Sequence, residues 1–169
     1  DNWASSRGGA IYANDANPEI SGCSLAFNLS QQGGGIYLYN SDALIMNAVI
    51  FKNYSSIYGG GVYLAYSAAI FHNSTISLNN SKNGGGIYSG FTSAPVFNNS
   101  IIWGNTATSG GGSISEGNEF FIASGTALSG TVTMNSCDFA DGVVGTVKDV
   151  YDSSNKMVRN NGCINTNPY

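Results

Sequence analysis

The stretch Gly33-Gly34-Gly35-Ile36-Tyr37 recurs as Gly59-Gly60-Gly61-Val62-Tyr63 and as Gly84-Gly85-Gly86-Ile87-Tyr88. A first copy, Gly8-Gly9-Ala10-Ile11-Tyr12, precedes these, and a degraded one, Gly110-Gly111-Gly112-Ser113-Ile114, follows. The β-branched residue falls at 11, 36, 62 and 87, so the steps are 25, 26 and 25 residues. So constant a period marks a solenoid, in which each unit buries its apolar face only against its neighbours. A phosphate-binding loop is excluded. No Lys follows the glycines, no helix signal begins there, and the motif repeats where a nucleotide site would occur once.

Stacking the units by their own spacing gives columns of alternating chemistry. Ile11, Ile36, Val62 and Ile87 are followed by Tyr12, Tyr37, Tyr63 and Tyr88, the period-2 pattern of a half-buried strand. Further on come Ile20, Ile45, Phe71 and Phe97, then Gly22, Asn47, Asn73 and Asn99, then Leu25, Ile50, Ile76 and Ile102. Asn28, Asn53, Asn79 and Asn105 close the coils. Each coil therefore holds two or three short strands separated by Gly or Asn corners, residues that tolerate left-handed backbone angles. No stretch shows helical periodicity with caps. The expected fold is all-β, a single-stranded, right-handed parallel β-helix of about 25–26 residues per coil. Equivalent residues would stack ~4.8 Å apart, with apolar columns filling the bore and Asn columns forming ladders. The six-residue sub-period of left-handed helices is missing.

One domain is expected over 1–169, with regular coils at 1–112 and irregular coils with lateral insertions at 113–169. Met134-Asn135-Ser136-Cys137 matches Phe97-Asn98-Asn99-Ser100 at a step of 37, so one coil carries an insertion of about a dozen residues. Residues 119–123 and 130–134 read as strands. Charges concentrate from 141 to 162 and suggest a lateral loop, after which Gly162-Cys163-Ile164 resumes the stack. The chain starts at Asp1 and stops at Pro168-Tyr169 in strand-like sequence, and reads as a piece of something longer.

Charged residues are 9% of the chain and the net charge is −4, with six Lys plus Arg scattered along it. Nucleic acid and acidic membrane surfaces need clustered cations and are not expected partners. No apolar run approaches the ~20 residues of a membrane-spanning helix, so direct membrane insertion is not expected. A chain solubilised by Asn, Ser, Thr, Gly and Tyr suits an extracellular or cell-surface setting.

The coils resemble those of the chlamydial polymorphic outer-membrane protein family. Ser100-Ile101-Ile102-Trp103-Gly104-Asn105, Gly117-Asn118-Glu119-Phe120-Phe121-Ile122-Ala123 and Gly162-Cys163-Ile164-Asn165-Thr166-Asn167-Pro168 are similar to "choice-of-anchor Q" β-helix proteins. That resemblance implies a large, secreted, surface-attached protein with adhesion as the common inference.

Catalysis on such a scaffold needs converging acids, paired for hydrolysis or clustered around calcium with a cationic base for a lyase. Asp15, Glu19 and Asp42 share no column, and Arg7 is the only arginine before Arg159. No enzymatic role, cofactor or metal is expected within these coils. His72, the only histidine, reads as an outward polar residue without triad partners. Cys23 and Cys137 share a column with Ala48, Ser74 and Ser100, which favours small buried thiols. A Cys137–Cys163 disulfide between adjacent coils is the alternative that their one-coil spacing leaves open.

The tyrosine column is the candidate binding feature. Tyr12, Tyr37, Tyr63 and Tyr88 form an outward ribbon widened by Tyr39 and Tyr66. Stacked aromatics stabilise the sheet they stand on, and they also offer a platform for glycan rings or a surface protein. Asn-Xaa-Ser/Thr sequons fall at Asn28, Asn53, Asn73, Asn79 and Asn98, as composition alone would produce. The expected role is a secreted or cell-surface structural stalk or adhesin that binds glycan or protein along its Tyr-rich face. One alternative is a carbohydrate-active, lyase-like helix whose catalytic residues lie elsewhere. Another is a self-assembling solenoid that stacks end to end through open strand edges.

Overall fold

The computed structural model describes residues 1–108, 116–123, 130–139, 143–144, 147–152, 157–160 and 162–165. The first coil holds β1 (Ile11–Asn14), β2 (Glu19–Ser21), β3 (Ser24–Ala26) and β4 (Leu29–Gln32). The second holds β5 (Ile36–Tyr39), β6 (Leu44–Met46), β7 (Val49–Phe51) and β8 (Tyr54–Tyr58). The third holds β9 (Val62–Ala65), β10 (Ile70–His72), β11 (Thr75–Ser77) and β12 (Asn80–Ser81). The fourth holds β13 (Ile87–Gly90), β14 (Val96–Asn98), β15 (Ile101–Trp103) and β16 (Thr106–Ala107). Then come β17 (Glu116–Ile122), β18 (Val132–Asn135), β19 (Asp138–Phe139), β20 (Val143–Val144), β21 (Val147–Asp152) and β22 (Met157–Arg159).

Like strands of successive coils pair in parallel and in register, giving four sheets that run along the axis. Ile11 lies against Ile36, Ile36 against Val62 and Val62 against Ile87. The chain is a parallel β-helix. Its bore is filled by the predicted columns, with Ile36, Val62, Ile87, Ile45, Phe71, Phe97, Ile50, Ile76 and Ile102 all fully buried. Alternation places every second residue inward because successive Cβ atoms point to opposite faces of a strand.

Each of the first four coils has four strands, one more than the pattern suggests. The extra strand contributes Ser30, Ser55, Ser81 and Ala107 to the interior, all buried. An inward serine does not register as an apolar period, so the strand is silent in a hydrophobicity reading.

The three glycines of each motif do three separate jobs. The first turns the corner: Gly33, Gly59 and Gly84 sit at φ 64°, 64° and 63°, a region an L side chain enters only at about 1–2 kcal/mol. The second lies against backbone of the next coil, so a Cβ on Gly60 would collide with the Gly85 and Asn80 carbonyls. The third clears space for the asparagine ladder. A Cβ on Gly35, Gly61 or Gly86 would stand 3.2, 3.0 or 2.9 Å from Nδ2 of Asn53, Asn79 or Asn105.

That ladder is buried. The Asn28 backbone N–H and Nδ2 both donate to Asn53 Oδ1 at 3.0 and 2.9 Å. Asn53 donates likewise to Asn79, and Asn79 to Asn105. The second Nδ2 hydrogen turns back to a carbonyl of the preceding coil, Leu25 for Asn53 and Ile50 for Asn79. In the fifth coil the acceptor is a carboxylate: Asn105 N donates to Glu119 Oε1 at 3.2 Å and Asn105 Nδ2 to Glu119 Oε2. Glu119 is buried.

The expected fifth motif copy, 110–114, lies outside the described residues. The register instead places Gly117-Asn118-Glu119-Phe120-Phe121 beneath Gly84-Gly85-Gly86-Ile87-Tyr88, with Ile87 against Phe120 and Tyr88 against Phe121. Gly117 keeps the left-handed corner at φ 71°. Only the first glycine survives, which hides the copy from a motif search. The step from Phe97 to Met134 is the expected 37 residues, divided unequally, because Ile87 to Phe120 is already 33.

The span 141–162 is not simply a lateral loop. β21 pairs in parallel with β17, β22 pairs with β18, and Asp138 bridges Ile164, so the chain completes another circuit there. The short β20 folds back antiparallel on β21. Charged residues obscured a strand whose pairing comes from backbone.

Candidate functional site: the aromatic faces

The tyrosine column stands on the outer face of the first sheet, as alternation requires. Tyr12 stacks on Tyr37 with centroids 5.3 Å apart, Tyr37 on Tyr63 at 4.8 Å and Tyr63 on Tyr88 at 5.1 Å. Phe121 extends the stack below Tyr88 at 5.1 Å. The planes are within 11° of parallel throughout. Tyr58, from the fourth sheet, leans on Tyr88 at 4.7 Å, and the Arg7 guanidinium lies 5.3 Å from the Tyr37 ring centre.

This geometry corrects the expectation of an open platform. Tyr37 and Tyr63 retain 3% and 7% of their exposure, while Tyr12 retains 51%. Each inner ring has both faces occupied by its neighbours, so only edges and hydroxyls are presented. A second small core is formed outside the bore by Tyr37, Tyr63 and Ala65, with Tyr58 and Tyr88 packed against them. Burial drives the phenols toward their neutral form. The Tyr37 and Tyr63 pKa values are raised, and that of Tyr88 reaches about 12, with desolvation the leading cause in each case.

Tyr39 and Tyr66 do not widen that stack into a sheet. They belong to a separate corner cluster in which Tyr39 meets Tyr66 edge-on at 5.5 Å and Tyr66 stacks on Phe91 at 4.7 Å. All three are exposed, and Tyr66 and Phe91 hold left-handed backbone at φ 53° and 57°. Phe91 escaped the sequence reading because it occupies a corner where Gly or Asn would signal.

The acids serve as corner acceptors. Asp15 accepts from Nδ2 of Asn14 and of Asn40, each at 2.6 Å, and Asp42 Oδ1 accepts from Ala68 N at 2.6 Å. Glu19 is exposed on β2. His72 is half-buried in an outer polar row. Its Nε2 lies 3.5 Å from Asn98 Nδ2, and Asn135 Nδ2 donates to Asn98 Oδ1. Three of the five sequon asparagines, Asn28, Asn53 and Asn79, are ladder members sealed in the interior.

The Cys137–Cys163 bridge is not formed; Cys23, Cys137 and Cys163 are free thiols. Cys137 fills a serine's place instead. Along its column Ser74 Oγ and Ser100 Oγ donate to the carbonyls two residues back and accept an amide from the preceding coil. Cys137 Sγ likewise donates to Asn135 O at 3.2 Å and takes the Ser100 amide. Burial raises the Cys137 pKa against the opposing pull of those backbone bonds. Cys163 Sγ donates to Met134 O at 3.3 Å.

Among the described residues no group of three or more His, Cys, Asp or Glu side chains is placed to hold a metal ion. No described helix is long and apolar enough to cross a membrane. A family model described as "Right handed beta helix region" matches residues 8–169. No curated protein matches the chain, and no solved structure does. With parallel coils stacked among the described residues, the chain belongs to the right-handed β-helix family.

Proposed function

We propose that this chain is a non-catalytic segment of a secreted or cell-surface stalk that makes adhesive contacts through its lateral faces. The observation that carries the reading is the doubling of the packing. Besides the filled bore, the first sheet bears an external aromatic stack, and a buried amide ladder ties the coils along the axis. Such a body resists bending and holds its sides at fixed spacing. Among the described residues thirteen large apolar side chains are exposed around those sides, on a chain with few charges, which favours contact surfaces over inert ones. The likeness to choice-of-anchor Q and chlamydial polymorphic outer-membrane β-helices supports the same location and role. Glycans or surface proteins are the partners this chemistry suits.

The test is display of the segment on otherwise non-adherent cells, with counting of attachment to glycan-coated and protein-coated surfaces. Attachment that disappears when the exposed aromatics Tyr39, Tyr66 and Phe91 become Ser, with the fold retained, supports the reading. Attachment equal to that of undecorated cells contradicts it.

A second reading is end-to-end assembly. β1, β2 and β3 are terminal strands of their sheets among the described residues, so their outer edges carry unpaired backbone groups. Only β4 is flanked, by Trp3 and by Arg7 next to it. Sedimentation of the purified segment decides this: concentration-dependent growth supports assembly, and a fixed monomer at high concentration removes it.

A further inference from the structure

We propose that the groove beside Trp3, Leu29 and Tyr54 is a binding subsite for a neutral oligosaccharide. Trp3 bridges Leu29, and Leu29 is in register with Tyr54, so the three stand in one outward column on successive coils. Their exposures are 73%, 37% and 45%. Trp3 and Tyr54 are therefore two coil steps apart, ~9.6 Å at the usual strand spacing, enough for two linked pyranose rings. Neither ring takes part in any of the aromatic stacks of the described residues, unlike the tyrosines of the first sheet. Among the described residues, their faces carry no stacked ring.

The groove between them encloses about 240 Å³ and adds Ser5, Gln31 and Ser56 to its lining. No charged side chain lines it. That neutrality selects the occupant. A uronic acid or phosphate would find no cation, and an amine no carboxylate. An apolar peptide would cover hydroxyl and amide groups without pairing them, which is costly. A neutral sugar matches both halves, its C–H face against the electron-rich ring face and its hydroxyls toward Ser5, Gln31 and Ser56. The inference rests on the reading that the lateral faces make contacts, and it assigns one of them a ligand class.

The experiment uses the Trp103→Phe variant, which leaves Trp3 as the only tryptophan of two. Neutral cello-, xylo- and malto-hexaose are titrated while Trp3 fluorescence is followed, with an oligogalacturonate and an apolar peptide as comparison ligands. A saturable change with a neutral oligosaccharide is expected, and calorimetry on Tyr54→Ala and Trp3→Ala should show affinity about tenfold weaker. Both side chains are exposed, and a melt confirms that each variant is folded. No saturable response to any neutral sugar overturns the proposal. So does an affinity in both variants equal to the parent's, or tighter binding of the acidic sugar or the peptide. Loss of sugar binding with cell attachment intact removes this subsite alone, whereas loss of attachment with sugar binding intact removes the stalk reading alone.

Discussion

Glu119 continues the asparagine ladder by accepting both the backbone amide and the side-chain amide of Asn105. One coil period past Asn105 the sequence has Thr131, not an asparagine. The carboxylate arrives from the neighbouring strand, at the position the third glycine holds in other coils. Every ladder asparagine passes two donors to the next coil, so the member that receives those of Asn105 must accept two. A carboxylate does that.

Replacing Glu119 by Leu leaves two buried Asn105 donors unpaired. The expected loss is about 2–4 kcal/mol, read as a lowered denaturant midpoint. Glu119→Gln keeps one acceptor and should lose about half as much. Equal stability of the Leu variant and the parent would show that Glu119 does not hold those donors.

The glycines separate by mechanism. Gly60→Ala drives a Cβ into the Asn80 and Gly85 carbonyls and should cost upward of ~2 kcal/mol or abolish folding. Gly22→Ala has φ 59° but nothing near its Cβ, so only the left-handed penalty of about 1–2 kcal/mol applies. Thermal melts of the two variants side by side test the distinction. A milder effect at Gly60 than at Gly22 contradicts the packing described.

Alkaline behaviour follows from the buried phenols. The folded pKa values of Tyr37, Tyr63 and Tyr88 are raised above 10, that of Tyr88 to about 12. Folding therefore favours the neutral phenol. This contribution is complete below pH 10 and is lost as pH rises through the folded values. The melting temperature should fall above about pH 10, and Tyr88→Phe should lessen that fall. A pH-independent melt through this range would contradict the burial.

Thiol accessibility gives an independent check of the fifth coil. Cys23 and Cys163 are partly exposed and Cys137 is 1% exposed. Native alkylation followed by mass spectrometry should modify the first two before Cys137. Incubation with oxidised glutathione should yield no internal 137–163 disulfide in the folded chain. Rapid Cys137 labelling, or that disulfide forming at once, would place the sulfur elsewhere.

The architecture was legible because the side chains that fill the bore are apolar and recur at the coil period. Ile36, Phe71 and Ile102 needed only their spacing to be placed. The Asn corner at 47, 73 and 99 was equally plain, and its backbone is left-handed as predicted. What stayed hidden was structure built from residues that do not advertise their roles. Ser30 and Ser55 line the inside of a whole strand. Phe27, Lys52 and Leu78 take left-handed corners at φ 58°, 51° and 55° without being Gly or Asn. Burial of the tyrosines was the main illegible fact, since alternation says outward without saying whether a neighbour covers the ring. Tyr58, Arg7 and the stack itself do that covering.

The thermal melt of Tyr63→Ala tests most directly whether the aromatic stack is scaffold, leaving binding to other faces. Removing a ring held between Tyr37 and Tyr88 should cost about 3 kcal/mol, a fall of roughly 10 °C in melting temperature, while sugar binding by the folded variant remains at the parent's level. An unchanged melt together with lost binding would contradict the account and make the ribbon the binding site.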